Sequence, residues 1–374
     1  MRKKLYIFIF IFSIINSISF AQPDSISGLK IWLKTDYSVL YDLNNKVSQW
    51  NDVSGNGYIF NQSNPDKQPL YIPSIDSMNY KPAIEFQNDE LQCWQEMSIG
   101  TIFVVANYSH DVFQTYAGLF TRAAFDDTQL SIIFSADEGS TNFYYAPLLG
   151  NNFYVNNVQT YNFAPLNKPK ICYGYMASGT PYTWPDAMIG RDRYEPNRFW
   201  EGDVYEVIIY DRVLDTTEIE QVKTYLMDKY APPIKLSDQD YSCSIIINNC
   251  PYTLKSDSYY TSYNWSTGDT ADSIIVTSSG KYCVTVTDIF GRVSSDSIFY
   301  FCHEPVFLPT DTFFCYSDSI NLTTNLPDTL LIHTWSTGDT IPNITIHSPG
   351  EYALTITDLS GCSKIYNISV DEDS

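Results

Sequence analysis

The chain has 374 residues, with 43 acidic and 22 basic side chains and a formal net charge of −21. This length allows two or three domains that each bury a core, and an aromatic content of 16% is typical of an ordered, β-rich chain rather than a disordered one. Because an acidic surface repels phosphate backbones, the composition argues against a nucleic acid partner.

The first predicted element is a secretory signal peptide over residues 1–21. Three cations near the N-terminus precede an apolar run over Leu5–Ile15, and the segment ends on the small-x-small cleavage pattern Ser19-Phe20-Ala21. The alternative, an uncleaved membrane anchor, needs about 20 apolar residues, which is more than this run provides. We therefore expect cleavage near Ala21, a secreted or cell-surface location, and no membrane span in the mature chain.

Residues 22–233 are predicted to form one all-β domain. Its β-branched and aromatic segments are separated by Pro, Gly and Asn clusters, as is typical of a two-sheet sandwich. A single predicted helix is too few for a parallel α/β sheet, which needs a helix in each crossover. The predicted strands are residues 30–34, 47–50, 83–86, 101–106, 129–134, 152–158, 170–176, 186–190 and 203–210.

The helix is predicted to follow the last of these strands and to close the domain. Apolar residues from Ile219 to Tyr230 recur every three or four positions, which is the spacing of one helix face. Asp215 and Glu218 have the spacing of a capping box at the start of the helix, and the pair Pro232-Pro233 ends it.

Motifs at both ends of this domain carry a family resemblance. Gly28–Asp36 and Val47–Gly57 form its entrance, Lys81–Phe86 follows, and Gly202–Arg212 precedes the helix. These motifs resemble the concanavalin A-like, laminin-G-type jelly-roll domains found in secreted Bacteroidetes proteins. The resemblance implies a jelly-roll sandwich. The segment 108–185 matches no motif, so a ligand surface would vary there.

Beyond residue 233 the sequence repeats with an offset of 70 residues. The block Trp265-Ser266-Thr267-Gly268-Asp269-Thr270 recurs over Trp335–Thr340, and Gly280–Asp288 recurs as Gly350–Asp358. A constant offset across separate blocks predicts two copies of one small β domain. We interpret the tryptophan block as a hairpin with a core tryptophan rather than as a binding loop.

The two copies are assigned to residues 234–305 and 306–374. They resemble the Ig-like or PKD-like modules of secreted bacterial adhesins and enzymes. We expect them to act as spacers that hold the jelly roll away from the cell.

The eight cysteines of an exported chain are disulfide candidates rather than metal ligands, because no CxxC motif is present and the four histidines are scattered. Cys315 and Cys362 are the only cysteines of the second repeat, so we expect them to pair. Cys93 and Cys172 either pair or remain as buried thiols. The cysteines of the first repeat are Cys243, Cys250, Cys283 and Cys302. Their three possible connectivities stay open.

Glu201, Asp203 and Glu206 follow the Glu-x-Asp-x-x-Glu pattern of some jelly-roll glucanases. A retaining glycosidase holds two carboxylates about 5–5.5 Å apart. Residues 201 and 206 of a regular strand point to opposite faces, so this chemistry needs a bulge between them. Since a non-catalytic jelly-roll ending also fits the segment, we predict no catalytic site, and a glycoside hydrolase using Glu201 and Glu206 is the alternative.

The predicted function is non-enzymatic recognition of a glycan or an extracellular matrix polymer. Tyr and Trp stack on sugar rings while their polar edges form hydrogen bonds. The aromatic candidates near the rim of the sandwich are Tyr182, Trp184, Tyr194 and Trp200. A structural adhesin that binds protein is a further alternative.

No cofactor and no metal are predicted. Asn51-Asp52 and Asp126-Asp127 could supply oxygen ligands to calcium, but the string Asn51–Gly57 lacks the spaced carboxylates of a strong site. A turn accounts better for the string Asn51–Gly57, which consists largely of residues that tolerate the left-handed conformation.

Overall fold

The computed structural model describes residues 22–123, 130, 132–193, 195–236, 245–248, 250–256, 258–302, 311–315, 319–324, 331–358 and 363–373. The predicted signal peptide lies outside these residues. Within them the chain is all-β with one α-helix, as predicted. It divides into two compact units, one reaching to residue 230 apart from residues 76–80, and one that comprises residues 76–80 and the chain from residue 231 onward. No helix in the described part is long and apolar enough to cross a membrane.

The first unit consists of short strands followed by the helix. The strands are β1 (Leu29–Lys34), β2 (Val39–Tyr41), β3 (Val47–Asn51), β4 (Ile59–Asn61), β5 (Leu70–Ile75), β6 (Lys81–Phe86), β7 (Leu91–Cys93), β8 (Met97–Ile99), β9 (Thr101–Ala106), β10 (Gly118–Thr121), β11 (Ile132–Ser135), β12 (Phe153–Val155), β13 (Val158–Gln159), β14 (Lys170–Tyr175), β15 (Tyr182–Trp184), β16 (Ala187–Ile189) and β17 (Gly202–Tyr210). The helix α1 spans Thr216–Tyr230, and short 3-10 helices span Pro23–Ser25, Pro65–Lys67 and Asp76–Met78.

Two large antiparallel sheets make up the first unit. Sheet A has the order β13-β12-β14-β9-β17-β6-β5, with β1 also paired to β17, and sheet B has the order β11-β10-β16-β7-β4-β3-β2. Strands β8 and β15 form a separate ribbon. Side chains of both sheets, such as Val104 and Val207 of sheet A and Phe60 and Leu91 of sheet B, share one buried core. The two sheets therefore stack as a sandwich.

The predicted strands of this unit are present, with shifts at their ends. Thr101–Ala106 matches its prediction, and the predicted segment 152–158 is divided into β12 and β13. The strands that the sequence did not predict are β2, β4, β5, β7, β8, β10 and β15. Most of them have only three or four residues, too few for an alternating pattern to be recognised.

Helix α1 begins as predicted. The Asp215 carboxylate accepts a hydrogen bond from the amide of Glu218 (2.9 Å), and the Glu218 carboxylate accepts one from the amide of Asp215 (3.0 Å). This reciprocal pair is the predicted capping box. The apolar face of α1 covers the outer face of sheet A, where the Tyr225 ring packs edge-on against Trp32 with centroids 5.8 Å apart.

The second unit contains the repeats. Its strands are β18 (Ile245–Asn248), β19 (Tyr252–Lys255), β20 (Ser262–Trp265), β21 (Ser273–Val276), β22 (Gly280–Thr287), β23 (Val293–Cys302), β24 (Asp311–Cys315), β25 (Ile320–Thr323), β26 (Leu331–Trp335), β27 (Asn343–Ile346), β28 (Gly350–Asp358) and β29 (Ser363–Asp373). The sheets β18-β23-β22-β20 and β19-β21 recur as β24-β29-β28-β26 and β25-β27. The sequence repeat is therefore also a repeat of topology.

The tryptophan block has the same geometry in both copies. Trp265 and Trp335 are buried, and each indole Nε1 donates to a backbone carbonyl 2.9 Å away, that of Ala271 or Ile341. The predicted core tryptophan is confirmed. The predicted hairpin is wrong, because β20 pairs with β22 while β21 pairs with β19. The block joins two different sheets.

The structure shows the bonding state of four of the eight cysteines. Cys250 is disulfide-bonded, whereas Cys93 and Cys172 are buried free thiols, which is one of the two states expected for them. Cys283 is also a free thiol, which corrects its predicted place in a bridge. It faces Ser297 on the sheet side opposite the buried Val284, so no cysteine stands across from it. The remaining predicted disulfide side chains, Cys243, Cys302, Cys315 and Cys362, lie outside the described part.

Candidate functional site

Glu206 lies beneath helix α1 and is completely buried. Its carboxylate accepts hydrogen bonds from Trp32 Nε1 (2.6 Å), Tyr225 Oη (2.9 Å), Tyr230 Oη (2.8 Å) and Lys229 Nζ (2.7 Å). Both oxygens are occupied by donors, and no surface of the side chain is open to a substrate. Glu206 therefore serves to attach the helix to the sheet.

A β-bulge in β17 gives Glu206 this position. Val204 aligns with Ala106 of β9, but Glu206 aligns with Val105, so Tyr205 is the extra residue on β17. Val204 points into the core between the sheets, and without the bulge Glu206 would share that direction. The bulge turns Tyr205 and Glu206 together toward α1.

The other two carboxylates of the motif are elsewhere. Glu201 is half-buried just before β17 and forms a hydrogen-bonded pair with His110 Nε2. Burial, reinforced by the facing Glu85, raises the pKa of Asp203 to about 6. Because Glu206 is enclosed beneath the helix, Glu201 and Glu206 do not form the accessible pair of carboxylates that the hydrolase alternative requires.

Two of the aromatic candidates are core residues. Trp184 and Trp200 are completely buried, and their Nε1 atoms donate to the backbone carbonyls of Leu130 (2.9 Å) and Asn107 (3.0 Å). The Trp200 ring also stacks parallel to Phe143 at 6.0 Å. Their predicted role in ligand contact is therefore wrong, because both side chains are enclosed in the core between the sheets.

Of the other two aromatic candidates, only Tyr182 lies in the described part of the chain. Tyr182 is half-buried on β15, where it pairs with Ile99 and packs against the core. Tyr194 lies outside the described residues. None of the described candidates is a strongly exposed aromatic residue.

The outer face of sheet B carries a row of neutral amide side chains. Leu91 and Phe60 belong to the shared core, so their strand neighbours Gln92 and Asn61 point outward. The strand register aligns Gln92 with Asn61, and Asn61 with Gln49. Since neighbouring strands lie about 4.8 Å apart, the three amides form a row across three strands.

Neighbouring polar groups fix the two ends of this row. Gln92 Nε2 donates to the Glu90 carboxylate (3.0 Å), which also accepts from Arg191 Nη1 (2.9 Å). At the other end the Gln49 amide donates to the side-chain oxygen of Asn51. The two end amides are thus held in place, and all three amides can exchange hydrogen bonds with the hydroxyl groups of a ligand.

Trp94 stands directly after β7 and is 61% exposed, although tryptophan side chains are usually well buried. Its loop is attached to the adjacent strand because Gln95 accepts a hydrogen bond from the amide of Ile59 (3.0 Å) and donates one to the carbonyl of Gly57 (3.2 Å). Ile59 is itself partly exposed. The arrangement presents an indole ring on an anchored loop at the end of the strand that bears Gln92.

The neighbouring turn explains the Asn51–Gly57 string. Asp52 Oδ1 accepts from the amides of Trp32 and Ser54 (2.8 Å each), and Oδ2 accepts from the Ser54 hydroxyl (2.7 Å) and the amide of Gly57 (3.2 Å). The carboxylate is engaged within the turn, as the turn interpretation predicts. The second calcium candidate, Asp126-Asp127, lies outside the described residues.

Sequence reasoning missed Trp94 and the amide row. The signal that could have identified Trp94 is a tryptophan within the polar string Gln92-Cys93-Trp94-Gln95-Glu96. The row itself has no local signal, because Gln49, Asn61 and Gln92 are brought together by strand pairing alone.

The fold and this face define an all-β sandwich protein with a polar sheet surface next to an exposed tryptophan. No protein-family model matches the chain, and no curated protein matches it either. It is similar to murine CEACAM1b, with 15% identity over 35% of this chain and 96% of that chain and a TM-score of 0.15.

Two further solved structures have similar values. The insect immune protein hemolin is 11% identical over 92% of this chain and all of that chain, with a TM-score of 0.17. The Bacteroides ovatus mixed-linkage glucan utilization locus protein SGBP-B, solved with a mixed-linkage heptasaccharide, is 12% identical over 59% of this chain and 60% of that chain, with a TM-score of 0.16. Structural similarities with such low TM-scores do not support any conclusion about the function of this chain.

Proposed function

We propose that this protein is a non-enzymatic, exported recognition protein that binds a neutral glycan on the outer face of sheet B. Trp94 provides the aromatic surface for a sugar ring, and Gln92, Asn61 and Gln49 exchange hydrogen bonds with its hydroxyls. The observation that carries the proposal is an exposed tryptophan next to an ordered row of uncharged amides. In a protein of net charge −21, a face without ionised side chains in its central row favours an uncharged ligand.

The domain organisation belongs to the same proposal. Residues 22–233 are a laminin-G-like jelly roll, and residues 234–305 and 306–374 are Ig-like or PKD-like spacers. Two antiparallel sheets with a single closing helix support the first assignment, and the matching topology of the repeats supports the second. The disulfide at Cys250 supports an oxidising location outside the cytoplasm.

The test is a glycan array probed with the full chain, expressed with its own N-terminal segment in a secreting host. We expect binding to neutral glycans that Trp94→Ala and Asn61→Ala both weaken. Tyr145→Ala is the matched control, because it removes a comparably exposed aromatic side chain from another loop. Binding that is equal in wild type and Trp94→Ala contradicts this site, and capture of protein ligands without glycan binding contradicts the function.

A further inference from the structure

The opposite side of the first unit carries a second aromatic surface. On the outer face of sheet A, the strand register aligns Tyr154 with Tyr173 and Tyr173 with Phe103. The rings stack in the same order, with centroids 4.6 Å apart and an interplanar angle of 1° for the first pair, and 5.4 Å and 23° for the second. The result is a continuous row of parallel rings across three strands.

Helix α1 covers only one end of this row. Phe103 and Tyr173 are buried, and Lys223 of α1 lies over the Tyr173 ring, with its Nζ 5.6 Å from the centroid. Tyr154 and Tyr175, which stack at 6.3 Å, are only half-buried. Beyond them the described sheet continues only with the two-residue strand β13. The row therefore emerges at the surface at Tyr154.

Polar groups surround the ring of Tyr154, which is the surface end of the row. Tyr175 places a second phenol ring beside that of Tyr154. Gln159, exposed on β13, faces Tyr154 across the strands, and its Nε2 donates to the carbonyl of Asn151 (2.6 Å). This constellation combines an aromatic face, phenol hydroxyls and an oriented amide, which together match the apolar face and the hydroxyl edge of a sugar ring.

The charges next to the row are balanced. The Lys223 ammonium forms an ion pair with Glu220, and its side chain is only 4% exposed. It therefore offers little attraction to an anionic ligand. The chemistry at the surface end of the row is aromatic and neutral.

We propose that Tyr154, Tyr175 and Gln159 form a second carbohydrate site, which binds one neutral hexopyranose ring of a glycan. The exposed part of the Tyr154 ring stacks on the sugar, while Gln159 and Tyr175 hydrogen-bond to its hydroxyls. Because sheets A and B share one core, this site and the Trp94 face lie on opposite sides of the sandwich. One molecule can thus hold two glycan chains at once.

The test is retardation of the full chain in native gels containing mixed-linkage β-glucan, xyloglucan or starch. We expect Trp94→Ala to reduce retardation and leave a residual part. Adding Tyr154→Ala weakens that part further, with an affinity loss of roughly two- to tenfold for the lost stacking. Gln159→Ala weakens the second site without altering the aromatic stack. It therefore tests the second site if Tyr154→Ala fails to fold. Tyr37→Ala, which removes an exposed tyrosine from another loop, is the control.

The outcomes separate the two proposals. If Trp94→Ala alone abolishes retardation, or if neither Tyr154→Ala nor Gln159→Ala changes the residual part, the second site is overturned and the first stands. If Trp94→Ala has no effect while Tyr154→Ala abolishes retardation, the proposed site at Trp94 is wrong and the proposed site at Tyr154 is supported. A wild-type chain that migrates freely in every gel overturns both.

Discussion

Trp32 and Glu206 are 174 positions apart in the chain, and the indole Nε1 of the first donates to the carboxylate of the second at 2.6 Å. Through Glu206 this bond connects the first strand of the sandwich to its final helix, since Tyr225, Lys229 and Tyr230 donate to the same carboxylate. The residue that resembles a catalytic acid in sequence is thus the junction between β1, β17 and α1.

The first prediction is that Glu206→Gln destabilises the first unit by roughly 3 kcal/mol. The substitution removes a buried charge that pairs with Lys229, whose side chain is itself almost fully buried. Urea denaturation monitored by tryptophan fluorescence measures the loss. Glu138→Gln, at an exposed position, is the control and should change the unfolding free energy by less than about 0.5 kcal/mol. Equal effects would show that the junction does not stabilise the fold.

Substitutions of Trp200 and Trp94 should affect stability and glycan binding separately. Trp200→Ala is expected to cost about 3–5 kcal/mol, because it leaves a cavity in the core and removes the hydrogen bond to Asn107. Trp94→Ala should leave the unfolding free energy within about 0.5 kcal/mol while weakening glycan binding. The two measurements are denaturant unfolding and glycan-array binding on the same samples. A large loss of stability for Trp94→Ala would contradict its assignment to the surface.

The Asp203 carboxyl should make stability depend on pH. Its folded pKa of about 6 lies above the unfolded value of about 3.9, so the native state takes up a proton that the unfolded chain does not take up until lower pH. This contribution destabilises the fold at pH 7, and stability rises as the pH falls from about 7 to 4. Asp203→Asn should therefore stabilise the unit at pH 7, on the order of 1–2 kcal/mol.

The measurement for Asp203 is the unfolding free energy of both proteins at several pH values. The advantage of Asp203→Asn should shrink toward pH 4, while Asp66→Asn, in an exposed turn, should show no such trend. An advantage that is constant over the whole range would contradict the role of the raised pKa.

The free thiols should differ in reactivity. Cys93 and Cys172 are buried, and burial raises the pKa of both thiols, so neither should form the reactive thiolate in the native protein. Cys283 is half-buried on the outer side of β22 and should be alkylated by iodoacetamide under native conditions. Peptide mapping by mass spectrometry identifies the labelled sites. Labelling of Cys172 as fast as Cys283 would contradict the described packing.

The repeat turns should depend on glycine. Gly268 has a φ of +90° in open space, so Gly268→Ala should cost roughly 1 kcal/mol from backbone conformation alone. Gly280→Ala in the same repeat is the matched control, because Gly280 does not adopt a left-handed conformation and has room for a Cβ. Thermal unfolding compares the two. Equal losses would show that the turn geometry is not the cause.

Elements whose signals are local can be predicted from the sequence. The capping pair Asp215–Glu218 and the apolar spacing from Ile219 to Tyr230 predict α1 at its observed position, because a helix forms hydrogen bonds within its own segment. The 70-residue offset predicts the repeated topology for a similar reason, since equal segments form equal strands. The β-branched and aromatic residues of 203–210 likewise predict the strand β17.

The accessibility of each side chain, by contrast, depends on the packing of the whole first unit. Apart from the polar residues around Trp94, the local sequence does not separate this exposed tryptophan from the buried Trp184 and Trp200, because burial depends on strands that pair across long stretches of chain. The bulge at Tyr205 likewise arises from pairing with β9, and it moves Glu206 from the core between the sheets to the face beneath α1. Local patterns specify elements, whereas the surface that can meet a ligand is specified by contacts between residues distant in sequence.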